Sequence, residues 1–173
     1  MAIKTRPPAQ SAVKTHHHAS QTRVLIIEGR FYKAISDELA NGAIAALKAQ
    51  GAAYDRISVP GALEIPQALA QAVSAGLVPR GAAKGHWDGA VVLGCVIRGE
   101  TSHYDIVCNN ANHWLMEVAI RHGVPLGNGI LTVDTEAQAM ERARGGADGK
   151  GGGAVRACLG LIELVRTFEG LSA

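Results

Sequence analysis

At 173 residues, with 47% apolar and 18% charged side chains, the chain is sized for one folded domain and is too apolar to be disordered. Its 17 basic and 15 acidic residues nearly cancel to +2, which leaves no electrostatic footprint for nucleic acid or an anionic membrane. No apolar run nears the roughly 20 residues of a bilayer span, so a soluble chain is expected, and any anion it binds must be held by a local site.

Cys95, Cys108 and Cys158 are odd in number and lack paired CxxC spacing. They predict reduced thiols rather than a metal or redox site, and the N-terminus lacks the apolar core of a secretory signal; both point to the cytoplasm. Met1 to Gln21, with Pro7, Pro8 and the triplet His16-His17-His18, reads as a flexible arm, and residues 22–173 as the folded domain. The three histidines are assigned no catalytic role.

Val24-Leu25-Ile26-Ile27 is a short apolar run followed by Glu28-Gly29-Arg30-Phe31. Ile35, Leu39, Ala43 and Leu47 then recur every fourth residue until Gly51, predicting strand, turn and helix. Phe31 falls at the carboxyl edge of that strand, where its ring either stacks on a heterocycle or covers the helix-sheet core. Tyr54 to Val59 predicts a second strand, Pro60-Gly61 a turn, and Pro66 the first turn of a helix. Gly61 and Ala62 leave backbone amides open to a uracil-like edge; Glu64 either accepts a ligand hydrogen bond or simply favours the helix dipole. Ala75 to Trp87 predicts a surface loop, which is the expected point of proteolysis.

The stretch Gly89 to Asp105 is a third such unit: a strand at Ala90 to Leu93 that Gly94 ends, a polar turn from Arg98 to His103, and a helix that Gly123 stops. Unpaired N–H groups and the positive dipole end make a helix start a natural oxyanion site. Gly99 permits close backbone approach, Thr101 and Ser102 offer hydroxyls, Ser102 and Asp105 are spaced as a loose capping box, and His103 stands beside the anion. The bland alternative is that Thr101 and Ser102 only cap the helix and His103 is surface. Trp114 reads as a core or subunit-contact residue.

Pro125 to Thr132 predicts a fourth strand, whose glycines imply that something packs closely on it. Thr135-Glu136-Ala137-Gln138 is a capping box opening a helix to Arg142 or Arg144. Gly145 to Gly153 reads as mobile on composition, and Val155, Cys158, Leu159, Ile162 and Val165 stripe a last helix. Four strands alternating with five helices predict an α/β fold: a parallel sheet covered on both faces.

Gly29-Arg30-Phe31, Val59 to Pro66, Gly94 to Asp105, Gly129 to Thr132 and Gln138 to Ala143 together resemble, in order and spacing, the 6,7-dimethyl-8-ribityllumazine synthase family, over about Val24 to Phe168. The resemblance implies a flavodoxin-like, three-layer α/β/α single domain with a four-stranded parallel sheet. It implies a transferase that condenses 5-amino-6-(D-ribitylamino)uracil with 3,4-dihydroxy-2-butanone 4-phosphate, the penultimate step of riboflavin biosynthesis, with no metal or organic cofactor. A homopentamer or an assembly of pentamers is implied, with intersubunit active sites and transfer of product to riboflavin synthase.

Carried over by motif, Phe31 stacks on the pyrimidine; Ala62, Leu63 and Glu64 hold the uracil and ribityl groups; Cys95, Val96 and Ile97 line the same pocket. Glu100 and Thr101 take the phosphate and His103 moves protons, while a neighbouring subunit supplies Asn128, Arg142 and Lys150. Glu100 contributes through its N–H, since a carboxylate facing phosphate is repulsive. Tyr32 in place of asparagine, Asn128 in place of an aromatic, and an extended Leu77 to His86 loop depart from the family pattern. The competing class is a noncatalytic flavin- or phosphate-binding module on the same fold; a third reading is a paralogue used as a flavin store or antigenic shell.

Overall fold

Val24 to Ile27 and Ala90 to Val92 have no exposed surface at all. Runs this apolar are stable only inside a sheet whose two faces are both covered. They form β1 (Arg23–Gly29) and β3 (Gly89–Ile97), paired in parallel with Val24 opposite Gly89 and Glu28 opposite Leu93. β2 (Ala53–Val59) joins outside β1, and β4 (Leu126–Val133) outside β3, giving the all-parallel order β2-β1-β3-β4. The computed structural model describes residues 21–172; residues 1–20 of the expected arm, including His16 to His18, lie outside the described residues.

Strand alternation sends Val24 and Ile26 to one face and Leu25 and Ile27 to the other. The first face packs α1 (Lys33–Ala49), the short α4 (Glu136–Ala143) and α5 (Lys150–Ser172) through Leu39, Ala139, Val155 and Cys158. The second packs α2 (Glu64–Ser74) and α3 (His103–His122) through Ile65, Leu69 and Leu115. The expected α/β/α layers are therefore present. Helix ends follow the sequence signals: Gly123 adopts a left-handed φ of 63° after α3, and Thr135 Oγ1 accepts from Gln138 N at 3.2 Å to cap α4. Among the described residues no helix is long and apolar enough to cross a membrane.

Three local expectations are corrected. Gly94 does not end β3, which continues to Ile97; a Cβ there would meet Ile65 Cδ1 at 3.2 Å, so this glycine admits α2 to the sheet. Gly145 to Gly153 is built rather than loose: a 3-10 turn at Gly146–Asp148 leads directly into α5 at Lys150. Gly151 and Gly152 are buried because added Cβ atoms would stand 2.0 Å from Leu39 O and 1.8 Å from Ala147 O. Coverage of both faces holds for β1 and β3, whereas Arg56, Ile57 and Ser58 of β2 are exposed. The segment Ala75 to Trp87 is the surface loop expected, exposed or half-buried apart from the fully buried Val78, and just after it Asp88 accepts from Arg23 N at 2.8 Å and Arg80 Nη2 at 2.9 Å.

Burial pushes the Asp88 carboxyl up, but Arg80, the Arg23 amide and Arg166 outweigh it and hold the group below the usual carboxylate range. The paired glycines of β4 behave as read: a Cβ at Gly127 would lie 1.9 Å from Ala154 O, which brings α5 against the strand.

Neighbouring glycines at the start of α5 should respond to substitution with opposite sign. Gly152→Ala is expected to lower stability by about 1–3 kcal/mol through overpacking. Gly153→Ala, whose Cβ would meet only Arg156 Nη2 at 3.8 Å, should raise it by about 0.5–1 kcal/mol through helix propensity. Urea unfolding midpoints measure both, and equal shifts would contradict the packing described.

Candidate active site

The chain leaves β1 for β2 on one side and returns across β1 to reach β3 on the other. Crossovers that part in opposite directions open a crevice at the carboxyl ends of the adjacent strands. A cleft of about 270 Å³ lies there, walled by the exits of three strands. The β1 exit gives Phe31 and Tyr32, the turn after β2 gives Gly61 to Glu64, and the end of β3 gives Cys95, Val96 and Ile97. Gly99, Thr101, His103, Tyr104 and Val107 close it from the turn and first helical residues that follow.

Phe31 is 72% exposed, its ring edge-on to Tyr32 at a centroid distance of 4.9 Å. At that exposure the ring does not cover the helix-sheet core, and it stands open beside the cleft. Glu64 Oε2 accepts from Gly61 N at 2.9 Å, bracing the turn whose backbone forms the second wall.

The start of α3 differs from the capping expected of it. Ser102 occupies the N-cap position yet makes no side-chain hydrogen bond, and Asp105 N bonds to the Ser102 carbonyl at 3.0 Å instead. The Thr101 hydroxyl reaches only His103 N, at 3.4 Å. Of the two hydroxyls only Thr101 meets the helix start, and weakly, so the first N–H groups and the positive dipole end have little side-chain competition. His103 is exposed on the first turn and lines the cleft.

The floor is apolar and uncharged. Burial, with the nearby Cys108, pushes the Cys95 thiol up to about 11, so it lines the cleft as a neutral group. Tyr104 is also raised, first by burial and then by Cys108, which keeps its phenol protonated. Sequence reasoning did not single out Tyr104 or give Tyr32 a place in the wall. Their signal was rarity: with aromatics at 4% of the chain, each one beside a candidate turn had a claim to the site. Val107 was assigned only to the helix stripe.

Phe31, Ala62, Leu63, Glu64, Cys95, Val96, Ile97, Thr101 and His103 therefore converge on one cleft, while Glu100 is exposed on the same turn without forming a wall. Asn128, Arg142 and Lys150 stand outside it. Asn128 pairs opposite Val92, well before the end of the sheet, and donates to Asn112 Oδ1 at 2.7 Å while accepting from Ile130 N at 2.9 Å. Arg142 is exposed on α4 and donates to Gln138 O at 3.2 Å, and Lys150 is exposed at the start of α5. Among the described residues no group of three His, Cys, Asp or Glu side chains is placed to hold a metal.

The 6,7-dimethyl-8-ribityllumazine synthase family matches residues 21–166, which include every wall of this cleft. The chain belongs to that family. Named members resemble it along nearly their whole length. The 6,7-dimethyl-8-ribityllumazine synthase of Azorhizobium caulinodans is 55% identical over 164 residues, 95% of this chain and 97% of the relative. That of Methylobacterium radiotolerans is 48% identical over 171 residues, 98% of each chain, and that of Xanthobacter autotrophicus 46% over 167 residues, 96% and 99%. Membership in the lumazine synthase family makes this chain an enzyme, a transferase of riboflavin biosynthesis, and sets aside the noncatalytic module.

The buried, protonated state of Cys95 is directly measurable. At pH 8 its thiolate fraction should be about a hundredfold below that of an ordinary thiol, so iodoacetamide should leave it unmodified in the native protein and label it after unfolding in urea. Peptide mapping by mass spectrometry reads the outcome; native labelling at the unfolded rate would contradict the burial.

Proposed function

We propose that the chain condenses 5-amino-6-(D-ribitylamino)uracil with 3,4-dihydroxy-2-butanone 4-phosphate to give 6,7-dimethyl-8-ribityllumazine, phosphate and water, the penultimate step of riboflavin biosynthesis. The observation that carries this reading is the single cleft in which an open aromatic ring, exposed turn backbone and a sparsely capped helix start with its own histidine meet. Each part suits one part of the substrates. Phe31 stacks on the pyrimidine, Ala62, Leu63 and Glu64 meet its polar edges and ribityl hydroxyls, and Cys95, Val96 and Ile97 shape the apolar floor. The amides of Glu100 and Thr101 bind the phosphate.

Imine formation, phosphate elimination and ring closure all move protons, and the imidazole of His103, on the cleft wall beside the helix start, is their carrier. A cleft with one charged helix end needs a cation to favour departure of the phosphate, and among the described residues no lysine or arginine lines this chain's own cleft. Arg142 and Lys150 of an adjoining copy supply it, with Asn128 beside them, which makes the active unit a homopentamer or an assembly of pentamers. The setting is cytoplasmic, and the product passes to riboflavin synthase.

Purified protein incubated with both substrates should develop the lumazine chromophore; correctly assembled protein that forms none would remove the reading. His103→Ala should slow turnover by about 10²-fold while leaving product binding intact. Arg142→Ala should raise the KM of the phosphate substrate by about tenfold or more, with a far smaller change for the pyrimidine. Steady-state kinetics with each substrate varied in turn separates the two, and equal loss for both substrates would deny Arg142 its role.

A further inference from the structure

The turn from Gly99 to Ser102 carries the phosphate in the function proposed above, yet it has almost no support of its own. Nothing stands within 4 Å of where a Gly99 Cβ would be, Ser102 makes no side-chain cap, and Glu100 to His103 are all exposed. What holds it is the residue at its base. Arg98 N donates to Val133 O at 2.9 Å, fixing the start of the turn to the end of β4. The Arg98 side chain then spreads over three groups, one just past β4 and two on α3. Its Nε donates to Asp134 Oδ1 at 3.0 Å, its Nη1 lies 3.6 Å from Asp105 Oδ1, and its guanidinium carbon sits 4.1 Å above the Tyr104 ring.

Asp134 is itself held, since its N–H donates to Gln138 Oε1 at 2.9 Å at the start of α4. Arg98 is absent from the walls of the cleft, and two carboxylates stand against its charge. An arginine inside a phosphate-binding turn invites assignment as a phosphate ligand, but this one is turned to the opposite task. Resting on the phosphate placement above, we infer that Arg98 is a positioning residue: it clamps the turn between β4 and α3 so that the amides and His103 meet the phosphate in register. A planar fork suits this work, because it can pair with carboxylates along its edge while its face lies on an aromatic ring.

The partner carboxylate provides the decisive test, because Asp134 is too exposed for its loss to unfold the chain and does not line the cleft. Arg98→Lys keeps the charge and loses the fork; Asp134→Asn leaves the arginine and removes its anchor. Inorganic phosphate serves as the probe, as a competitor of the phosphate-bearing substrate. Both variants should raise that substrate's KM and the phosphate inhibition constant roughly tenfold. The pyrimidine KM and the melting temperature should stay near those of the unaltered protein, and the double variant should be no worse than the weaker single one.

A direct ligand role predicts a different pattern: Asp134→Asn would bind phosphate as well as the unaltered protein, or better, and that result overturns the clamp. Loss for both substrates together with a lowered melting temperature in Asp134→Asn would also overturn it, in favour of general destabilisation. If phosphate fails to compete even in the unaltered protein, the phosphate placement falls first and takes the clamp with it, and the unaltered protein alone reveals this.

Discussion

The parallel pairing of β1 with β3 is the constraint on which the rest of the molecule depends. Both strands are buried on both faces, so a slip of one residue would turn Leu25 and Ile27 away from α2 and α3 and toward α1 and α5. Both faces are apolar, so the cost of that exchange lies in misfitted packing rather than exposure, and the register it favours sets which residues emerge at the carboxyl edge. Phe31 comes two residues after β1 ends, and Cys95 to Ile97 are the last residues of β3. The cleft is thus a by-product of core packing: its walls are placed by side chains that never touch it.

The walls divide the chemistry. A floor of protonated thiol and aliphatic groups lowers the local dielectric, while the rim offers backbone amides and an imidazole. Charge near such a floor is felt more strongly than in open water. Supplying the cation from outside the chain would leave an unassembled subunit without its full electrostatic complement, so catalysis and assembly would be a single event.

Much of the fold was legible in the sequence because its signals are local. Two short apolar runs marked β1 and β3, Gly123 marked the end of α3, and Thr135 to Gln138 marked the start of α4. The misread places are those where a residue's meaning depends on how the backbone packs around it rather than on its neighbours in sequence. Gly94 looked like a strand terminator and Gly145 to Gly153 like a loose segment, because composition cannot reveal that Ile65, Leu39 and Ala147 occupy the space a Cβ would need. Ser102 had the right spacing for a cap without making one. In the site, Phe31, the Gly61 to Glu64 turn and His103 were legible from strand-turn-helix order, whereas Tyr104 and the Arg98 contacts were not. Asn128, Arg142 and Lys150 came from family resemblance alone, and one subunit does not bring them to its cleft.

Two groups of glycines in this chain have opposite prospects for redesign. At Gly89, Gly127 and Gly129 an added methyl would run into Pro125 O at 2.6 Å, Ala154 O at 1.9 Å and Leu93 Cδ2 at 2.9 Å, so no other amino acid is small enough to serve there. Gly99 is the reverse: it lines the cleft and has open space where a side chain would grow. Randomisation aimed at altering substrate scope therefore has a natural entry point at the mouth of the cleft, while the seam between β4 and α5 is closed to it.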